Sequence, residues 1–534
     1  PAASSTDTVQ YEVLMKGAPE VILKRCSTYA STKGDRPDVT EAFRNDFLAK
    51  YEMFAKQGRR VLALCSQTFH APKDQEFQCN DDNGEYNFPT TNLHFIGLFA
   101  IMDPPRDNVP DAIAQCHGAG VKVFMVTGDH PFTARAIAKQ VGLLSSDNNI
   151  ELLEDKTSMI DWDSCDGAVI HGSRVDGLSD DEWRKVLSKP GVCFARTTPA
   201  HKLLIVKKCQ TLMGAIVAVT GDGVNDAPAL KQADVGIAMG LNGSAVAQES
   251  ADLLLMDDNF ASIVDAIAEG RLIFDNIKKT VAYTMAHILP EVFSAIIGLL
   301  GGVPAGLTAL QVLTIDLLTE MGPAISLAYE HAESDLMLRK PRDPVKDRLV
   351  SPVLLLYAYV TSGSIITAAC MAAYIFTYQR YKIRLSDFGD SNLQGDFFAL
   401  TSVEPVDIVR TKATFSADQQ RRIFSEAATA YYITLTVSQF FHIWVCKTRI
   451  ISVFTHGLFK NRLTLYGVAM GLAWVVFFSY VPGVQGVIGS ETVGWIPWVC
   501  AICAGAVLWL YNEGSKWFFR KAGPNNCIVK FLAW

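Results

Sequence analysis

No run of lysine or arginine interleaved with aromatics occurs in the sequence, and the formal net charge is −7, so nucleic-acid binding has no electrostatic footprint. GxxxxGK[ST] is absent, as is GxGxxG following a strand, which removes the P-loop and dinucleotide-binding cradles. The twelve cysteines show no paired metal-ligand spacing ahead of residue 275 and read as reduced thiols of a cytosolic protein. Cys500 and Cys503 form a CxxC inside WIPWVCAICAGAVLWLY, where apolar packing outweighs a zinc or redox role. A basic-then-apolar signal segment is also missing: PAASSTDTVQ lacks an initial Met and runs straight into YEVLMKGAPE, which reads as a domain interior, so a fragment is expected.

What the sequence does hold is apolar. With 534 residues, 49% hydrophobic and a mean hydropathy of +0.17, it reads as a soluble part joined to a membrane part. The pattern changes near residue 275. Ahead of it, LHFIGLFAIMD, VKVFMVTGD, GAVIHG, VCFART, AIVAVTGDG and VGIAMG each read as a buried parallel strand. Helix-like segments such as PFTARAIAKQVGLL and PAHKLLIVKKCQTL separate them, which predicts a doubly wound α/β sheet with ligands at the strands' carboxyl ends. Beyond residue 275, six membrane spans are expected at 279–300, 307–328, 352–378, 427–446, 463–482 and 494–513. Basic residues crowd Arg339–Arg348, Lys447–Arg462 and Lys516–Lys521, which places these connections and the soluble part in the cytosol.

The strand ends carry the chemistry. In TGDGVNDAPAL, Asp222 and Asp226 stand four apart on a glycine-rich tip with Asn225, a set that holds Mg²⁺ through oxygen while backbone approaches a phosphate. Thr127-Gly128-Asp129 forms a second tip, and ART followed by Pro199 and Lys202 a third. Taken singly these are an Asx turn, a common TGD turn and a solvated helix lysine. Together a hydroxyl, a lysine and two carboxylates can hold one phosphoryl group and its metal. Within the spans, Glu291, Asp316 and Glu320 mark an ion route, because burying carboxylates for helix pairing alone costs too much. Asp316 and Glu320 are expected to share one helix face with Thr319, and Pro290 to free a backbone carbonyl beside Glu291.

KGAPE (Lys16–Glu20), DPPR (Asp103–Arg106), TGDHPFTARAIA and TGDGVNDAPAL resemble the P-type cation-transporting ATPases, a likeness that extends over nearly the whole chain. LPEVFSAI and TIDLLTEMGPAISLAYEHAESDLMLRKPR resemble the sodium/potassium-pump and gastric proton/potassium-pump branch most closely. The resemblance implies a partial α+β nucleotide-binding domain (1–96), a haloacid-dehalogenase-like, Rossmann-like phosphorylation domain (97–272) and an all-α membrane domain (273–534). By the same resemblance, Thr127, with Gly128 and Asp129, and Lys202 face the phosphoryl group; Asp222 ligates Mg²⁺, and Asp226 and Asn225 support it. Lys16, Gly17 and Arg60 border ATP, Arg106 sits at the hinge, and Tyr283, Thr284 and Gln439 join Glu291, Asp316, Thr319 and Glu320 as transport ligands. The implied partners are monovalent cations (Na⁺, K⁺ or H⁺), membrane lipid and a small accessory subunit, in the plasma membrane.

The departures matter as much. The family's phosphorylated aspartate lies in DKTGT, which this sequence does not contain; Asp155-Lys156-Thr157 continues with Ser158 and Met159 and reads as a surface loop. By the same comparison the actuator domain and the first four spans are absent, so a carboxyl-terminal half that does not turn over ATP alone is expected. His287 and Ile288 stand where the branch carries Ser and Asn, Glu320 replaces Asp, and His442 and Gly471 replace carboxylates of an additional sodium site. Both histidines are expected to be neutral and packed. Two alternatives stay open: a proton- or calcium-transporting pump, and a truncated regulator of a full-length pump.

Overall fold

A computed structural model describes residues 8–31, 34–73, 75–80, 85–102, 104–144, 150–153, 166–333, 336–343, 347–390, 393–394, 397–398, 405–408, 413–523, 526 and 529. Asp103 and the Asp155–Met159 stretch lie outside them. The chain divides into two compact units, Pro1–Ala266 and Ile267–Trp534.

The first unit opens with a mixed sheet of β1 (Thr8–Gly17), β2 (Cys26–Tyr29), β3 (Arg60–Pro72) and β4 (Leu93–Ile101), in the order β1-β3-β4-β2. Alternation in β1 and β3 leaves one face for helices α1 (Pro19–Arg25) and α2 (Glu41–Lys56), and Phe47, Tyr51 and Ala55 of α2 share a core with Ala63, Cys65, Leu93 and Phe95. Thr40 caps α2 by accepting from the Phe43 N–H. Here the expectation of a buried parallel strand at Leu93 is corrected. β4 runs antiparallel to β3, parallel only to β2, and Phe99 and Ile101 are exposed. An apolar run does not by itself state whether both faces are covered. The boundary expected at 96/97 falls inside this strand, and the one at 272 inside a helix that starts at Ala261.

Two parallel sheets follow where one was expected. The first has the order β5 (Val123–Val126), β8 (Gly191–Ala195), β7 (Gly167–His171), β6 (Ile150–Leu153), and the second aligns β9 (Ala218–Gly221), β10 (Val235–Met239) and β11 (Leu253–Leu255). β7 and β8 are buried almost throughout, as continuous apolar runs flanked by helices should be, with α3 (Val109–Gly118) and α4 (Pro131–Gln140) packed against Val169 and Cys193 and Trp183 of α5 (Asp180–Ser188) against Phe194. Among the described residues β5 pairs only with β8 and β9 only with β10, so each sheet ends in an open edge. Helix α6 (Pro199–Met213) joins the sheets: Thr198 and His201 form a capping box at its start, Gly214 closes it at φ 58°, and Gln210 donates to the carbonyl of Gln232 at 3.0 Å.

In the second unit, four helical segments among the described residues are long and apolar enough to cross a membrane: Ala261–Leu300, Pro352–Arg380, Arg462–Tyr480 and Ile496–Ala522. The other two expected spans differ, each for its own reason. The span at 307–328 is broken into Ala309–Thr314, a π-helical turn Ile315–Thr319, and Met321–Ala328. The span at 427–446 lies within Ala417–Cys446, which begins ten residues earlier and is buried on nearly every side, with Thr429, Thr434, Thr436, Ser438, Gln439 and His442 in its interior. Its neighbours are other helices, which tolerate hydroxyls that lipid would reject. Arg339 and Arg449 both reach Asp275, at 2.6 and 3.2 Å, so two of the basic connections meet at the same end of the bundle.

Candidate functional site

The tip after β9 is built by exclusion. A Cβ on Gly221 would stand 2.5 Å from that of Asp226, so only glycine lets the chain fold back there. Asp226 is thereby buried; its Oδ2 accepts from the Gly223 N–H at 3.2 Å and its Oδ1 lies 2.5 Å from Lys202 Nζ. This charge-assisted bond joins the second sheet to the early part of α6. Asp222 and Asn225 stay exposed on the outer side of the turn, whose backbone is held by the Ser244 N–H donating to the Asp222 carbonyl at 2.8 Å. With Asp226 matched by Lys202, Asp222 is the exposed carboxylate of this tip, and Mg²⁺ needs only one or two carboxylates beside water and phosphate oxygens.

At the tip after β5, the Asp129 N–H donates to Thr127 Oγ1 at 3.1 Å, while the Thr127 carbonyl accepts from Thr197 N–H and Oγ1 at 3.1 and 3.0 Å. Thr197 precedes the helix that carries Lys202, so the two tips are tied through α6. Gly128 has open space where a Cβ would stand. Asp129 lies 3.9 Å from Arg60 Nε, which brings one expected nucleotide residue to the phosphoryl tip. Lys16 and Gly17 end β1, opposite Leu64 and Ala63, and Arg106 donates to the Asp257 carbonyl at 3.4 Å.

One element of this region was not anticipated. Arg196, just past β8, adopts φ 55°, donates its N–H to the Asp129 carbonyl at 3.0 Å and pairs its guanidinium with Glu20 of KGAPE. The motif letters gave both residues, but neither the left-handed backbone nor the pairing is written in them. Burial, and then the Arg196 charge, lowers the pKa of His130 and of His171, which keeps both imidazoles neutral. Burial, followed by the Asp129 charge, pushes the Cys193 thiol up to about 12, so it is no nucleophile.

In the second unit, Tyr283, Thr284, His287 and Glu291 lie on one helix that runs on through Pro290. Proline removes the donor to the Ala286 carbonyl, and Gly363 approaches that oxygen so closely that a Cβ there would stand 3.2 Å from it. The Pro290 carbonyl itself accepts from Tyr431 OH at 2.6 Å. The π turn revises the shared-face expectation: the Glu320 N–H reaches back five residues to Ile315 O at 3.0 Å, and Glu320 is 2% exposed while half of the Asp316 side chain remains open. Thr284 and Thr319 donate to carbonyls of their own helical turns, leaving lone pairs only. His287 Nε2 lies 3.2 Å from Asp316 Oδ1.

Several buried polar atoms here lack a well-formed hydrogen bond: Oε1 of Glu291, Nδ1 of His287, Nε2 of Gln439, and the Tyr283 hydroxyl and both carboxylate oxygens of Glu320, which face each other. Such a concentration is costly unless something occupies it. His442 is different, with one nitrogen 3.1 Å from Tyr357 OH and the other 3.2 Å from Gln439 Oε1, the ring lying between Tyr283 and Tyr357. Gly471 is required by packing, because a Cβ would stand 2.6 Å from the Phe440 ring and 2.9 Å from the Thr319 carbonyl.

The family model described as P-type ATPase, cytoplasmic domain N, matches residues 2–108, and that described as Cation transporting ATPase, C-terminus, matches residues 304–518. The chain is 40% identical to sodium/potassium-transporting ATPase subunit alpha-3 of Gallus gallus, over 98% of its own length and 51% of the relative's. It is likewise 40% identical to subunit alpha of Drosophila melanogaster (97% and 49%) and to subunit alpha-B of Artemia franciscana (96% and 51%). The chain thus spans about half the length of the curated relatives it matches. Two domains of one family matched toward opposite ends, with alignment through nearly all of the sequence, mean that this chain belongs to the P-type cation-transporting ATPases.

Proposed function

We propose that the chain carries the metal-binding tip and part of the ion route of a pump that couples ATP hydrolysis, through an aspartyl phosphate, to sodium/potassium-type cation exchange. The observation that carries this reading is the set of buried oxygens on Tyr283, Glu291 and Glu320 that no well-formed hydrogen bond satisfies. A dehydrated cation supplies the missing partner for such atoms, and their desolvation cost is offset only when it is bound.

In the first unit, Lys202 stands ready to meet phosphoryl charge, with Asp226 fixing its position and Thr127 offering a hydroxyl on the neighbouring tip. Asp222, supported by Asp226 and Asn225, would hold Mg²⁺, whose charge neutralises phosphate oxygens when bound. Lys16, Gly17 and Arg60 border the nucleotide in this reading, and Arg106 marks the hinge. The nucleophile belongs to DKTGT, and its strand fits the open edges of β5 and β9, both of which lead into the reacting tips. That strand would merge the two parallel sheets into one haloacid-dehalogenase-like sheet.

Six membrane spans, the plasma membrane, cytosolic soluble domains and a small accessory subunit complete the reading by family likeness. Gly471 narrows it, because the space a carboxylate would need there is filled by Phe440 and the Thr319 carbonyl, so one cation site fewer is expected than in the relatives' branch. The test is phosphoenzyme formation from labelled ATP by a chain that includes this sequence and a DKTGT segment. Sodium should promote labelling and potassium discharge it; labelling governed by protons or calcium alone would overturn the sodium/potassium assignment.

A further inference from the structure

An oxygen cluster for sodium or potassium has no use for an imidazole, yet His287 stands inside this one. One ligand atom each from His287, Glu291 and Asp316 lies within 4.8 Å of the others. Two ligands on opposite sides of an ion at about 2.1 Å stand roughly 4.2 Å apart, so modest side-chain movement closes such a group on one centre. The 3.2 Å between His287 Nε2 and Asp316 Oδ1 already matches an adjacent pair of ligands, which at those bond lengths stand about 3.0–3.4 Å apart.

The two intramembrane histidines separate clearly. His442 has both nitrogens engaged by neighbouring side chains, as a packed core histidine should. His287 faces a carboxylate with one nitrogen and leaves the other, buried, without a partner. Beside it Glu320, 2% exposed, faces the Tyr283 hydroxyl without a well-formed hydrogen bond and lies within electrostatic reach of both His287 and Glu291. One nitrogen and several carboxylate oxygens form the donor set of zinc-class ions, whereas alkali cations select oxygen alone. A divalent ion would also neutralise more of the cluster's carboxylate charge than one monovalent ion.

We propose that His287, Glu291 and Asp316, with Glu320 as the fourth donor, bind a divalent transition-metal ion of the zinc class in competition with the transported cation. It rests on reading these residues as a cation site, but it does not need turnover. The purified chain in detergent is titrated with Co²⁺, whose visible bands report the ligand field, and bound Co²⁺ is then displaced with Zn²⁺. One Co²⁺ per chain is expected, displaced by Zn²⁺ and weakened by high sodium or potassium. His287→Ser and Asp316→Asn should each reduce affinity at least about tenfold. X-ray absorption of the unaltered chain loaded with Zn²⁺ avoids any folding defect of the variants and should show imidazole scattering.

An oxygen-only shell, affinity unchanged in a folded His287→Ser chain, or indifference to sodium and potassium would each overturn the proposal. Because ATP is absent from this assay, its failure leaves the pump reading standing, and a failed phosphorylation assay leaves the metal site standing.

Discussion

The two ends of the proposed machine handle charge in opposite ways. At the strand tip Asp226 is buried with its cation in place, Lys202 at 2.5 Å, and its second oxygen is held by the Gly223 N–H. In the membrane bundle Glu320 is buried more deeply, and neither of its oxygens makes a well-formed hydrogen bond. A phosphoryl site must be rigid before substrate arrives, because preorganised dipoles act only where they need not reorganise. A transport site must be incomplete, because a site that satisfied itself would have no reason to take up an ion from water. A buried carboxylate thus fixes its neighbours when it is paired and keeps its charge for cargo when it is not.

Breaking each end sharpens the contrast. The largest effect is expected from Asp222→Asn, which should lower Mg²⁺-dependent phosphoenzyme at least about 100-fold in a chain carrying DKTGT; near-normal labelling would remove Asp222 from the metal site. Lys202→Ala should destabilise the chain by about 2–4 kcal/mol in denaturant unfolding, since it strands the Asp226 carboxylate, and an Asp226→Ala change in the same chain should recover part of the loss. Glu320→Gln should have the opposite sign: in cation-free buffer it stabilises by about 1–3 kcal/mol, seen as a higher Tm, and abolishes the further rise on adding cation. A lower Tm would show that Glu320 is satisfied after all. Gly471→Ala should cost about 1–3 kcal/mol by pushing on Phe440 and the Thr319 carbonyl.

The smallest effect is one of pH. Asp258 accepts from the backbone N–H groups of Leu241 and Asn242 at 3.0 and 2.9 Å, and these bonds hold its pKa below the usual carboxylate range. With the folded value depressed, its contribution is complete above the unfolded value and disappears as pH falls through the folded one. Asp258→Asn should therefore lower stability in the neutral region, leave strongly acid conditions nearly unchanged and so flatten the acid limb between them, as read by denaturant unfolding across pH.

Much of the site was legible because glycine and aspartate at strand ends have few structural uses. Gly221, Asp226 and Lys202 converge as their spacing after apolar runs suggested, and Glu291, Asp316 and Glu320 stand out against apolar helices. Pairing across long sequence separation was not legible. Leu93–Ile101 reads apolar but has an open face, and the parallel strands form two sheets joined by a helix. The π turn at Ile315–Thr319 is set by packing of neighbouring helices, including the close passage of Gly471, and no local pattern of five residues encodes it. Ala417–Cys446 was half hidden for a related reason: its surroundings are protein, so its hydroxyls blur the apolar signal.

Both regions can be read together in one protein. Phosphoenzyme from labelled ATP is measured against sodium concentration for a chain that includes this sequence and a DKTGT segment, with and without Glu320→Gln. Sodium-promoted labelling is expected, shifted by Glu320→Gln to higher sodium by about tenfold or more, since one charge in the membrane then governs chemistry at the strand tip. Labelling that ignores both sodium and Glu320→Gln would contradict that expectation.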